Sequence, residues 1–233
     1  MQIVIFSKSS KFAFLLVSEI ILGMLLIGVS LVVFLKLAEV ILTKEVISFD
    51  VWIRQLIYVF RNPTITMFMK DITFLGGDVF LGCVIIITIL LLLRKHKKDA
   101  AVFSFILFFG IALNIFLKNI FQRPRPTFIP LIHETSYSFP SAHAMNSLVF
   151  FLSLSYFIFI NTRNEKLGIV LTFLSGFLVF FIGISRIYLG AHYPSDVLGG
   201  YVAGLCWFAL VLVFEKTLLF LRLFKKFEVE KKY

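Results

Sequence analysis

Apolar residues run along the chain in six stretches, separated by segments where charges, prolines and aromatic rings gather. The runs fall at residues 12–35, 79–93, 100–117, 143–160, 167–185 and 196–221. As helices they match a hydrocarbon core about 30 Å thick, and lipid leaves an isolated span no other way to satisfy its backbone. The second run is short, and the pattern predicts that it recruits Phe74 to Asp78 at its outer end. Between the first two runs the period changes. Phe49, Trp52, Ile53, Leu56, Ile57 and Phe60 share one helical face, with Asp50, Arg54, Gln55 and Arg61 elsewhere. Asn62-Pro63 breaks that helix, and Ile65, Phe68, Met69 and Ile72 open a second amphipathic stretch. Such helices lie along a membrane interface, so segment 48–75 reads as a structural belt before it reads as a substrate gate. The expected fold is all-α: an integral membrane bundle of six transmembrane helices, with amphipathic interfacial helices between spans one and two. Residues 1–233 then form a single membrane-embedded domain.

Composition agrees with the pattern. Hydrophobic residues make up 60% of the 233 and charged ones 15%, with mean hydropathy +0.98; soluble domains run at about 45–50% and about 25%. So few charges cannot cover a soluble domain without large apolar patches, which excludes soluble, secreted and disordered classes. Lys8 and Lys11 precede the first run as in a signal peptide, but the run is too long and no small-residue cleavage site follows, so it reads as an uncleaved helix. Cys83 and Cys206 lie inside apolar runs and read as small buried hydrophobes.

The net charge of +10 follows from cytoplasmic loops rather than from a nucleic-acid partner. Six spans put both termini on one side. That side holds Lys8, Lys11, Arg94, Lys95, Lys97, Lys98, Arg163, Lys166, Lys216 and the cations from Arg222 to Lys232, 14 of the 23 in all. The short loop 94–98 is the strongest signal, since the bias is read best in short loops. Termini are therefore expected in the cytoplasm, with segments 36–78, 118–142 and 186–195 outside a cell membrane.

Those outer segments carry polar residues that lipid should exclude: Lys118 to Pro126, Pro140 to His143, and Ser185 to Asp196. Lys118, Arg125 and Arg186 offer three positive charges, and a guanidinium fork matches phosphate oxygens. Pro140 suits the first turn of a helix, so the free N–H groups of Ser141, Ala142 and His143 are expected to point outward together as an anion site. The Ser141 hydroxyl adds a donor. Pro194 likewise marks a helix start, with His192 just before it and Asp196 in its first turn. Of two histidines, a neutral one can attack phosphorus and a protonated one can protonate the leaving oxygen. Asp196 would fix the nucleophile's tautomer. No carboxylate cluster of the two-metal kind stands outside, so no metal and no cofactor is expected.

These segments resemble the three-part signature of the type 2 phosphatidic acid phosphatase superfamily, K-x6-R-P, P-S-G-H and S-R-x5-H-x3-D. Here they read Lys118…Arg125-Pro126, Pro140-Ser141-Ala142-His143 and Ser185-Arg186…His192…Asp196. The six-span layout and the Phe49-Asp50 segment also resemble bacterial members. The resemblance implies that His192 is the nucleophile, forming a phosphohistidine, with Asp196 as its partner. It implies that His143 is the acid for the leaving group and the base for water afterwards. Lys118, Arg125, Arg186 and Ser141 would bind phosphate, helped by the Ala142 N–H. Ala142 departs from the glycine of the usual second motif; helical geometry accepts it, but its methyl can crowd the phosphate.

Other polar residues take plainer readings. Arg123-Pro124 mimics the motif ending, but its spacing from Lys118 is wrong, so Arg123 reads as solvated or headgroup-facing. His133 and Glu134 read as surface residues, Ser185 as a helix-end hydroxyl, and Glu19 as a packing residue within the first span. Gly200 and Gly204 predict close helix packing inside the bundle. The expected activity is a lipid phosphatase at the extracytoplasmic face, acting on a phospholipid or polyprenyl phosphate such as phosphatidylglycerophosphate, undecaprenyl diphosphate or phosphatidate. The alternatives are a phosphatase for a soluble phosphoester and a catalytically silent binding or transport protein. Nothing in the three motifs reads the lipid tail or sets an oligomeric state.

Overall fold

Every long apolar run becomes a helix in the computed structural model, which describes the backbone of residues 2–162 and 164–230 and the side chains of 13–162 and 164–225. Among the described residues the structure is all helical: α1 Gln2–Leu42, α2 Ile47–Tyr58, α3 Pro63–Leu75, α4 Asp78–Lys95, α5 Lys97–Phe121, α6 Ala142–Thr162, α7 Glu165–Tyr188 and α8 Pro194–Glu230. Six segments are long and apolar enough to cross a membrane: Ala13–Leu42, Pro63–Lys95, Lys97–Phe121, Ala142–Thr162, Glu165–Tyr188 and Pro194–Lys225. Lys8, Lys11, Arg163, Lys226, Lys231 and Lys232, which enter the charge bias, lie outside the described side chains.

Boundaries differ from the hydropathy pattern where polar groups find partners. Helix α1 continues to Leu42, past the expected end at residue 35, and Lys36 pairs with Glu39 one turn on at 2.8 Å. The second span takes in Phe74 to Asp78 as expected, within Pro63–Lys95, but it is built of two helices. Phe74 and Leu75 end α3, and Gly76-Gly77, poor helix formers, separate it from α4.

Helix α6 is the hub, packed against α5, α7 and α8, while α1 lies along α8, α4 along α5 and α3 along α7. Polar side chains tie the helices internally, as membrane bundles do: Ser155 Oγ lies 2.8 Å from Ser175 Oγ, joining α6 to α7. Trp207 Nε1 donates to Ile106 O at 2.8 Å, and Tyr201 Oη donates to Val179 O at 2.7 Å. Glu19 pairs with Lys216 at 2.7 Å, so this residue of the first span ties α1 to α8. Gly200 lets α8 approach the start of α6, since a Cβ there would lie 2.7 Å from Ser141 O. The predicted close packing at Gly200 and Gly204 is thus between α8 and α6.

The outside of the bundle is apolar, as lipid demands: Leu22 is 71% exposed and Phe173 78%. Cys83 belongs to that outer surface and Cys206 is half-buried, so the expectation of two buried cysteines is corrected. Helix α2 is turned the same way. Trp52 and Leu56 point outward, whereas Asp50 is 3% exposed and faces the protein.

Candidate active site

Four chain segments converge at the ends of α5, α6, α7 and α8. Lys118 sits in the last turn of α5, which stops at the left-handed Gln122 (φ +42°). The chain then leaves the helix through Arg123-Pro124-Arg125-Pro126, where prolines lock φ and bar a further helical turn. Helix α7 ends with Arg186 and Tyr188. Gly190, at φ +76°, turns the chain so that the Ala191 and His192 N–H groups donate to Arg186 O at 3.1 and 3.3 Å. Pro194 starts α8, and Asp196 falls in its first turn.

His192 and Asp196 are both buried, with Nδ1 3.5 Å from Asp196 Oδ2. On the other side of the ring, Nε2 lies 3.2 Å from Arg125 Nη1. Arginine only donates, so Nε2 presents its lone pair and Nδ1 carries the proton toward Asp196. Burial pushes the His192 imidazole down to about 4, against the hydrogen bond and charge of Asp196, which push it up. The ring is neutral at ordinary pH, with its lone pair on the side where the cations stand.

Those cations are Arg125, Arg186 and Lys118. Arg125 is held by Ser136 O at 2.6 Å and Ala191 O at 2.8 Å, and Lys118 Nζ donates to Tyr137 O. Arg186 donates to Thr73 Oγ1 at 2.8 Å and to Glu134. Buried Ser141 Oγ and Arg186 Nε have no hydrogen-bond partner among the described residues, and buried polar atoms of this kind need one. A tetrahedral oxyanion would supply it. The set Lys118, Arg125, Ser141 and Arg186 is made of donors, which suits an anion and not a cation. His143, in the first turn of α6, packs beside the Gly76-Gly77 break, its Nε2 3.8 Å from where a Gly77 Cβ would stand.

The sequence-predicted residues Lys118, Arg125, Ser141, Ala142, His143, Arg186, His192 and Asp196 therefore gather in one region, but three expectations change. The Ser141 N–H is not free, because it donates to Asp196 O at 3.0 Å. Helix α6 begins only at Ala142, leaving the Ala142 and His143 N–H groups in its open first turn. Glu134 is not a plain surface residue: it pairs with Arg186 and lies 3.7 Å from Arg125. Burial pushes its carboxyl up, but Arg186, Arg125 and His143 outweigh that and hold it below the usual range. Arg123 is not solvated: it bonds Asp196 Oδ1 at 2.6 Å and Asp50 Oδ2 at 2.7 Å. Sequence reasoning also passed over Ser138, which donates to Asp196 Oδ2 at 2.5 Å, and Ser195, which donates to Asp50. The doubled Arg-Pro was the available signal for Arg123.

Beside Lys118 and Ala142 opens a cavity of about 540 Å3, whose walls include Tyr137, Asn146 and Ile111. A second cavity of about 180 Å3 shares Asp78, Ile111 and Asn146 with it and is walled by Leu81, Ile85, Leu107 and Val149. The two cavities adjoin through those shared residues and run from Lys118 toward the apolar space between α4, α5 and α6.

A family model described as PAP2 superfamily matches residues 99–219. The chain is 35% identical to phosphatidylglycerophosphatase B of Bacillus subtilis (strain 168) over 79% of its own length and 92% of that protein's. It is 31% identical to undecaprenyl-diphosphatase BcrC of the same organism, over 48% of this chain and 54% of that one. The crystal structure of a transmembrane PAP2 type phosphatidylglycerolphosphate phosphatase from Bacillus subtilis superposes with a TM-score of 0.77, at 34% identity, over 82% of this chain and 96% of that one.

Proposed function

Since this chain belongs to the PAP2 superfamily of membrane phosphatases, we propose that it is a lipid phosphatase, removing phosphate from a headgroup phosphomonoester or diphosphate at the extracytoplasmic face. Residues 1–233 act as one membrane-embedded unit. The observation that carries the lipid reading is the pair of adjoining cavities, one beside Lys118 and one walled by apolar residues between helices. A phosphate at the cation cluster would meet Lys118, Arg125, Arg186 and Ser141, while the first carbons of an acyl or prenyl chain lie toward Leu81, Ile85, Leu107 and Val149. Phosphatidylglycerophosphate is the first substrate to test, because the likeness to the phosphatase of that name spans most of both chains. Undecaprenyl diphosphate is the second.

The reaction runs in two displacements. Nε2 of neutral His192 attacks phosphorus; the N–P bond forms and the bond to the lipid oxygen breaks. That oxygen takes a proton from His143. The Nδ1–H stays on His192, facing Asp196, so the cationic phosphohistidine is stabilised by a buried carboxylate. His143, now neutral, takes a proton from water, whose oxygen attacks phosphorus and frees His192. The Lys118, Arg125 and Arg186 charges balance phosphate oxygens throughout.

Purified protein in detergent should release phosphate from phosphatidylglycerophosphate, and a His192→Ala variant should not. Three cationic side chains already balance the phosphate charge, so activity should survive EDTA. Faster turnover of a soluble phosphoester would overturn the lipid reading. Absence of release from every lipid offered would favour a silent scaffold.

A further inference from the structure

We propose that Arg123 is a positioning residue for the phosphatase reaction, holding Asp196 against His192 while being held in turn by Asp50 of the interfacial helix α2. The inference rests on the His192–Asp196 reading above and adds residues to which that reading gave no role. Arg123 Nη1 donates to Asp196 Oδ1 at 2.6 Å, and Nη2 donates to Asp50 Oδ2 at 2.7 Å. Asp196 and Asp50 are buried, at 0% and 3% exposed, and the Arg123 side chain is 12% exposed. The guanidinium also lies over the Tyr193 ring, 4.2 Å from its centre.

Each oxygen of Asp196 has a separate task. Oδ2 faces His192 Nδ1 and accepts from Ser138 Oγ at 2.5 Å and Tyr193 N at 2.9 Å. Oδ1 accepts from Arg123, so Arg123 fixes the rotation of the carboxylate from the side away from the nucleophile. The planar fork gives each carboxylate its own nitrogen in a fixed geometry, which the single point charge of a lysine does not set. Asp50 is equally committed. Its Oδ1 accepts from Ser195 N at 2.9 Å, and its Oδ2 from Ser195 Oγ at 2.7 Å as well as from Arg123. Asp50 thus caps the start of α8 from another helix, and α2, with Trp52 and Leu56 on the outer surface, is tied to the nucleophile through three side chains. Two carboxylates sharing one guanidinium leave one net negative charge beside His192, which favours the cationic phosphohistidine.

The test is a double-mutant cycle on the full chain in detergent, using phosphatidylglycerophosphate. Arg123→Ala should lower kcat roughly ten- to hundred-fold, the scale of one buried charged hydrogen bond, and leave KM within about twofold. In an Asp196→Asn background the same change should cost less than about threefold, because the two residues act as one unit. Added guanidinium should restore part of the kcat of Arg123→Ala. If Arg123→Ala does not fold, Asp50→Asn keeps the shape and should lower kcat with KM unchanged. Full kcat in the Arg123 and Asp50 variants, or losses that multiply with Asp196→Asn, would overturn the inference while leaving the proposed function intact. Full kcat in Asp196→Asn alone would instead sink the reading of Asp196 and this inference with it.

Discussion

Glu134 pairs with Arg186, placing a loop carboxylate on a guanidinium at the end of α7 that faces the His192 side of the bundle. Arg125 stands 3.7 Å from the same carboxylate. A phosphate using these cations must compete with it. Glu134→Gln removes the competing charge and keeps the shape. Inorganic phosphate should then inhibit roughly fivefold more tightly, the scale of a partly exposed ion pair worth about 1 kcal/mol. Unchanged or weaker inhibition would mean that Glu134 does not occupy the phosphate position.

The two histidines should respond differently to the leaving group. A lipid alkoxide needs a proton to depart, whereas a nitrophenolate does not. His143→Ala should therefore lose roughly 10²–10⁴-fold on lipid and much less on an aryl phosphate. His192→Ala should be dead on both. Rapid quench from labelled substrate would trap acid-labile phosphoenzyme in the wild type. Its presence in His192→Ala but not in His143→Ala would reverse the two roles.

Stability should fall on mild acidification through His192. Burial lowers its folded-state value to about 4, against about 6.5 in an unfolded chain. Between those values the unfolded chain takes up a proton that the folded one refuses, so the folded state loses ground as pH drops through that window. Above about pH 6.5 this group adds no further dependence. Glu134 acts lower, because its depressed carboxyl costs stability only as pH falls below the ordinary carboxylate range. Thermal unfolding at about pH 7.5 and about pH 5 should show a larger drop in Tm for wild type than for His192→Gln. Equal drops would rule out His192 as the source.

Orientation can be tested at His133, an exposed residue of the loop between α5 and α6. With Cys83 and Cys206 replaced by serine, His133→Cys should react with an impermeant thiol reagent in intact cells. Labelling that requires broken membranes would put the site on the cytoplasmic side.

The six spans were legible because hydrophobicity is a local property: a run such as 167–185 must be a helix in lipid whatever its neighbours do. The i,i+4 relation of His192 to Asp196 was legible too, since one helical start sets it. Arg123 was not. Its partners Asp50 and Asp196 each lie 73 residues away, one before and one after, and no window of sequence contains both. The facing of α2 was hidden for a different reason. In water an apolar stripe points inward, but lipid receives Trp52 and Leu56 as readily as a core does, so the pattern shows an amphipathic helix without saying which side meets the protein. Only the packed bundle decides that. A buried charge is tolerable where a countercharge meets it, and the meeting of Asp50, Arg123 and Asp196 exists only after α2, the α5–α6 loop and α8 have come together.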